Sequence, residues 1–227
     1  MCNDAAVNGI TRPGGFAEPV LLREEAIVRV PREADPAQVA PLLCAGVTVF
    51  NGIKRLHGSL VAAQGLRGLG HLAVQYASKM GYEVVALSST DDKANFARDL
   101  EAAHFIKTKT QDVGAELKKL AGAAVVVQTA PNPPSINPLV AGLAADGKIL
   151  SLAPAGIAET YATALMSKGA SLVGWPSGHA LDSEDGIRFA LRHDVRCLIN
   201  KYPLSGAQKA IDDFKAGKAR FRNVLIV

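Results

Sequence analysis

The chain predicts an α/β fold: a doubly wound parallel sheet of Rossmann type with helices on both faces. Three observations carry this. From residue 59 onward, short apolar runs alternate with segments of helical period, the order expected of βαβ units. The apolar runs are nearly continuous rather than alternating, as strands covered on both faces should be. A glycine-rich stretch, Gly65-Leu66-Arg67-Gly68-Leu69-Gly70, lies between the first run and the first long helix, where such domains place their phosphate loop.

Taken in order, the first forty residues stand apart. "GGFAEPVLLREEAIVRVP" mixes glycine, proline and short apolar alternations, which predicts one or two strands. Asp35 and Pro36 then supply an N-cap and a first helical residue, and Pro41 interrupts the helix they start. Strands are expected at 59–65, 82–89, 104–108, 123–130, 147–153, 170–175, 196–199 and 221–227. Helices are expected at 69–81, 91–103, 111–122, 134–145, 161–169, 183–194 and 205–218. The doubly wound domain runs from about residue 45 to 200. Residues 1–44 and 201–227 flank it, and the terminal "FRNVLIV" is expected to return to the N-terminal piece or to pair across a dimer.

Composition narrows the function classes. At 227 residues and 48% hydrophobic content, the chain can bury one sizeable core. The net charge of +4 is scattered, with no dense basic block carrying interleaved aromatics, so no nucleic-acid partner is expected. No run reaches membrane-spanning length, so no membrane is expected either. Three widely spaced cysteines, Cys2, Cys44 and Cys197, argue against a disulfide framework and for a reducing, cytoplasmic setting. His57, His71, His104, His179 and His193 lack metal-ligand spacing.

The loop carries the cofactor question. In G-x-G-x-x-G the first glycine permits the turn, the second admits the pyrophosphate and the third lets helix pack on strand. Gly65 and Gly70 fill the first and third places, with Gly68 and Leu69 between, but Arg67 fills the second. A side chain there is expected to collide with a pyrophosphate in the usual pose. The same glycines also suit a tight strand–helix turn that binds nothing. At the end of the second strand, Ser88, Ser89 and Thr90, followed by Lys93, offer hydroxyls and a cation where NAD-binding domains keep an acidic residue. That set suits the 2′-phosphate of NADP(H), although Ser89 or Thr90 could equally cap the next helix.

On "NGITRPGGFAE", "APLLCAGVTVFNGIK", "QGLRGLGHLAVQYASKMG", "VVALSSTDDK", "GWPSG" and "GKARFRNVL", the chain resembles the medium-chain, zinc-dependent alcohol dehydrogenases of the cinnamyl-alcohol-dehydrogenase type. The resemblance runs from about Asn8 to Val227 and implies an NADP(H) preference. It implies that Cys44 matches a catalytic-zinc ligand, Thr48 a residue near the nicotinamide, Ser88, Ser89 and Lys93 the 2′-phosphate contacts, and Arg222 an arginine approaching the pyrophosphate. It implies that residues 1–44 are a remnant of the GroES-like catalytic domain, with Cys2 the last of four structural-zinc cysteines. It also implies a homodimer through the edge strand at Ser171–Trp175. Zinc needs about three protein ligands. With no partner for Cys44 in the family pattern, zinc is not expected, and Cys44 is read as a small buried residue.

From this the sequence predicts an alcohol-dehydrogenase-like protein that has lost its zinc and hydride chemistry. The former cofactor cleft would serve a non-redox lyase, isomerase or cyclase acting on a small organic molecule, with Arg67 holding an anionic group at a helix N-terminus. Thr48, Asn51, His71, Ser88, Thr129, Asn132, Trp175, Ser177 and His179 are the polar residues expected to line that cleft, His71 and His179 being the acid/base candidates. Two alternatives stand beside it: an NADP(H)-dependent oxidoreductase with an altered loop, and a non-catalytic dimeric binding remnant.

Overall fold

The computed structural model describes residues 6–153, 156, 157 and 159–227. The elements follow in chain order: α1 (Pro36–Val39), α2 (Ala45–Ile53), β1 (Leu60–Gln64), α3 (Gly70–Lys79), β2 (Glu83–Ser88), α4 (Ala94–Asp99), β3 (His104–Lys107), α5 (Val113–Lys119), β4 (Ala123–Gln128), α6 (Ile136–Ala141), β5 (Leu143–Ser151), α7 (Ala162–Met166), β6 (Ser171–Gly174), α8 (Ala180–His193), β7 (Ile199–Pro203), α9 (Ala207–Lys215) and β8 (Arg222–Ile226). Six strands form one parallel sheet in the order β3-β2-β1-β4-β5-β6. The order reverses direction at β1, which makes the space beyond β1 and β4 the switch point where α/β sheets bind ligands.

Every residue of β1 is buried. Its side chains alternate between two cores, as the period of two demands. Val61 and Ala63 join a cluster with α2, α3 and α8, whereas Leu60 and Ala62 join one with α5 and α6. In the first cluster Phe50, Tyr76 and Phe189 meet with ring centroids 5.4–5.8 Å apart, tying α2, α3 and α8 together. Beneath the opposite face Leu117, Ile136, Leu139 and Ile149 are almost wholly buried.

Several sequence expectations shift. Asp35 does cap α1, its Oδ1 accepting from the Ala37 N–H at 2.9 Å, and Pro41 sits in a 3-10 turn (Ala40–Leu43) that separates α1 from α2. The strands expected before residue 35 do not form. Among the described residues that segment holds one 3-10 turn (Glu24–Ala26) and one isolated bridge, Asn8 to Arg12. Ile10, Phe16 and Leu21 there are exposed, and an alternating run with no partner edge has nothing to pair with. The terminal strand β8 pairs with β7, Arg222 opposite Ile199, in a separate two-stranded parallel sheet, not with the N-terminal piece. The helix expected at 134–145 ends at Ala141, and β5 claims Leu143 onward. No single described helix is long and apolar enough to cross a membrane. Cys2 lies outside the described residues.

Candidate functional site

The loop after β1 is built around two close approaches. Gly65 has φ +87°, in the left-handed region that side chains disfavour. Its N–H donates to the Leu87 carbonyl at 2.8 Å, anchoring the loop to β2. A β-carbon on Gly70 would stand 1.6 Å from the Gly65 carbonyl oxygen, so only glycine fits at the start of α3. Thr129, at the end of β4, donates its hydroxyl to the Gln64 carbonyl at 2.6 Å and closes the turn from the other side. Arg67 is exposed, and its backbone is not among the left-handed residues, so the chain itself places no demand for glycine there.

Above these strand ends lies an open cleft of about 840 Å³. It is lined by Gly65 and Arg67 from the loop, Ser88, Ser89 and Lys93 after β2, and Thr129 and Asn132 after β4. Lys109, Gln111 and Asp112 after β3 line it too, as does Gln64, and none of these four was singled out from the sequence. The rule that ligands sit beyond the carboxyl ends of strands points to them. Gln64 is buried at the end of β1, and its Oε1 finds no hydrogen-bond partner among the described residues. Charge in the cleft is one-sided. Arg67, Lys93 and Lys109 are cations, while the one carboxylate, Asp112, is engaged as the N-cap of α5, accepting from the Ala115 N–H at 3.0 Å. Burial, and next the neighbouring Arg67 charge, push the Lys93 ammonium below its ordinary range, against a weaker opposing pull from Asp92.

The expected acid/base histidines are not in this cleft. His71 is 0% exposed, and both ring nitrogens are occupied: Nδ1 lies 2.8 Å from the Arg67 carbonyl, and Nε2 accepts from the Leu198 N–H at 3.1 Å. Burial, with help from Arg222, pushes its pKa down to about 4, despite the hydrogen bond to the Arg67 carbonyl, which works the other way. His71 is therefore a neutral strut between the loop and the segment leading into β7. His179 caps α8, its Nδ1 accepting from the Leu181 N–H at 3.1 Å while its own N–H donates to Asp182. Thr48 lies on α2, where its hydroxyl donates to the Cys44 carbonyl at 2.7 Å and sits 3.0 Å from the Ser177 hydroxyl; Asn51 donates to the Ser177 carbonyl at 3.1 Å. These groups form a polar knot apart from the cleft lining.

Other predicted residues take up shaping roles. Gly68, Leu69 and Gly70 form the turn into α3 without lining the cleft. The Arg222 guanidinium packs against Gly68, within 2.9–3.0 Å of where a β-carbon would stand, and its Nε is buried without a partner among the described residues. Thr90 is extended, and the turn it precedes has no side-chain cap. Cys44 is exposed rather than buried, because it lies at the junction of the 3-10 turn and α2.

Residues 68–192 match the family model described as zinc-binding dehydrogenase, over half of the chain. The chain belongs to the zinc-binding dehydrogenase family. Among relatives of this dehydrogenase chain, the alcohol dehydrogenase patD of Penicillium expansum is 50% identical over 99% of the chain and 67% of its own length. The alcohol dehydrogenase notN of Aspergillus sp. (strain MF297-2) is 45% identical over the same shares. Of solved structures, a cinnamyl alcohol dehydrogenase of Sorghum bicolor superposes with a TM-score of 0.80 at 29% identity, covering 89% of this chain and 58% of that one. The alcohol dehydrogenase of Aeropyrum pernix shares the fold with a TM-score of 0.89 at 24% identity, over 100% of this chain and 69% of that one. The chain thus spans about two thirds of the length of its curated alcohol dehydrogenase relatives.

The zinc in the family's name needs about three protein ligands. Among the described residues no three His, Cys, Asp or Glu side chains gather, and Cys44 stands alone. These described residues do not fit a zinc ion.

Proposed function

We propose that this chain is the nucleotide-binding part of an alcohol-dehydrogenase-type oxidoreductase and that its cleft takes NADP(H). One observation carries this reading: Gly65 at the start of the glycine loop, the two serines after β2 and an excess of cations line a single cleft at the switch point of the sheet. The donor set matches the ligand. The Ser88 and Ser89 hydroxyls and the Lys93 ammonium would hold the 2′-phosphate, and the Gly65–Gly70 turn would receive the pyrophosphate at the start of α3. When bound, the cofactor supplies hydride. The protein's share is to bind it, orient it and exclude water.

The non-redox reading is weaker in this geometry. It requires an acid/base group in the cleft, but His71 is enclosed beneath the loop and His179 is spent capping α8. Arg67 is exposed and lines the cleft together with Lys93, so on this reading its guanidinium is a further cation for the cofactor rather than an obstruction. For the dimer we propose pairing through β6, which bonds only to β5 among the described strands and leaves Leu172 exposed on the outermost strand of the sheet.

The test is a fluorescence titration of NADPH into the native chain and into Gly70→Ala. Saturable binding by the native chain and none by a folded Gly70→Ala supports the reading. Absence of binding by the native chain refutes it.

A further inference from the structure

We propose that Arg67, standing where the motif expects glycine, is a specificity residue: with Lys93 it forms a two-cation grip on the 2′-phosphate of the dinucleotide. This rests on the NADP(H) reading and names a role that the motif position does not ordinarily have.

Four observations converge. Arg67 and Lys93 line the same cleft, one from the β1–α3 loop and one from the turn after β2. Neither makes an ion pair with a carboxylate among the described residues, in contrast to Lys54, which pairs with Asp182 at 3.0 Å. The cleft's own carboxylate, Asp112, is committed to capping α5. Finally, Lys93 registers the Arg67 charge as a repulsion. Two cations facing one cleft, with Asp92 offsetting only part of the repulsion at Lys93, are unfavourable until an anion arrives, and a dianionic phosphomonoester bridging them removes that cost. The Ser88 and Ser89 hydroxyls line the cleft beside Lys93 and supply neutral donors to the same group.

The position selects the 2′-phosphate over the pyrophosphate. The pyrophosphate would be received at the turn into α3, which Gly68 and Gly70 form without lining the part of the cleft that holds Arg67 and Lys93. Arg67 precedes that turn, and its charge is felt at Lys93, beyond the end of β2 where the adenosine ribose is bound in this fold. Arginine suits the task, since its planar fork binds phosphate oxygens in pairs and stays charged at any working pH.

The experiment measures dissociation constants by calorimetry for NADPH, NADH, 2′,5′-ADP, 5′-AMP and inorganic phosphate, on the full chain and on Arg67→Gln, Arg67→Lys and Lys93→Gln. Circular dichroism verifies that each variant is folded; both positions line the cleft. The expected result is a loss of about ten- to a hundredfold for NADPH and 2′,5′-ADP in Arg67→Gln, no change for NADH or 5′-AMP, and substantial recovery in Arg67→Lys. Lys93→Gln should show the same pattern. Equal or tighter NADPH binding by Arg67→Gln, with the native chain binding well, would overturn the grip while leaving the NADP(H) reading intact. Inorganic phosphate binding as tightly as 2′,5′-ADP would also overturn it, by showing a site for free phosphate. No binding of NADPH by the native chain removes the reading and the grip together.

Discussion

At the scale of single residues, His71 shows how the same side chain reads differently once it is placed. Its position just after the glycine loop suggests chemistry, but the fold encloses it and occupies both ring nitrogens. Burial, with the nearby Arg222 charge, disfavours the imidazolium, so the folded chain refuses a second ring proton until about pH 4. The unfolded chain accepts one near pH 6.5. The folded pKa is depressed, so the stability from neutral His71 is fully present above pH 6.5 and is lost as pH falls toward 4, by on the order of 3 kcal/mol. Urea unfolding from pH 7 to 4 should show this slope in the native chain and a shallower one in His71→Gln; identical profiles would refute the strut. Gly70 makes a second case. Gly70→Ala drives a methyl into a backbone carbonyl that has no room to move, and should cost about 3 kcal/mol or more in chemical denaturation. A cost under about 1 kcal/mol would mean that the loop shifts freely. Glycine at positions 65 and 70 was legible in the sequence because its reason is local. The fate of His71 was not, because Leu198 lies 127 residues away.

At the scale of elements, the reading succeeded where burial on both faces imposes one pattern and failed where pairing depends on distant partners. β1, β2 and β4 were visible as apolar runs because the sheet centre tolerates little else. The segment before residue 35 has similar alternation, yet it forms no strand, since no described edge meets it. β8 found β7 rather than the N-terminal piece, a choice that spacing alone does not specify. The start of α8 was also missed by a few residues, because its cap is a histidine. The box formed there by His179 and Asp182 is anchored to α2 by Lys54, whose Nζ lies 3.0 Å from Asp182 Oδ1. The Asp182 side chain is only 11% exposed, so removing its charge leaves Lys54 without its partner and the His179 N–H without its acceptor. Asp182→Ala should lower the unfolding free energy by about 1–3 kcal/mol and weaken hydrogen-exchange protection first in α8. A uniform loss of protection across the sheet would contradict this local account.

At the scale of the whole molecule, the doubly wound parallel sheet and a cleft at its strand ends follow from the βαβ rhythm and were legible in advance, whereas the strand order came from the structure. The cleft's cationic excess was half visible: Arg67 and Lys93 stood out, but Lys109 and the commitment of Asp112 to α5 emerged only when the strand ends were brought together. If β6 pairs with its counterpart in a second copy, light scattering should give a dimer mass, and a proline at Leu172 should return the monomer with the fold intact; a native monomer at micromolar concentration would contradict that pairing. Binding at the cleft must also stabilise the fold, by about 2.7 kcal/mol at a hundredfold excess of NADPH over its dissociation constant. The most direct test of the central claim compares the dissociation constants of NADPH and NADH for the native chain under one salt condition. The account predicts saturable one-to-one binding with NADPH favoured by about tenfold or more, the worth of a charge-assisted phosphate contact. Equal affinity for the two, or no binding of either, would contradict it.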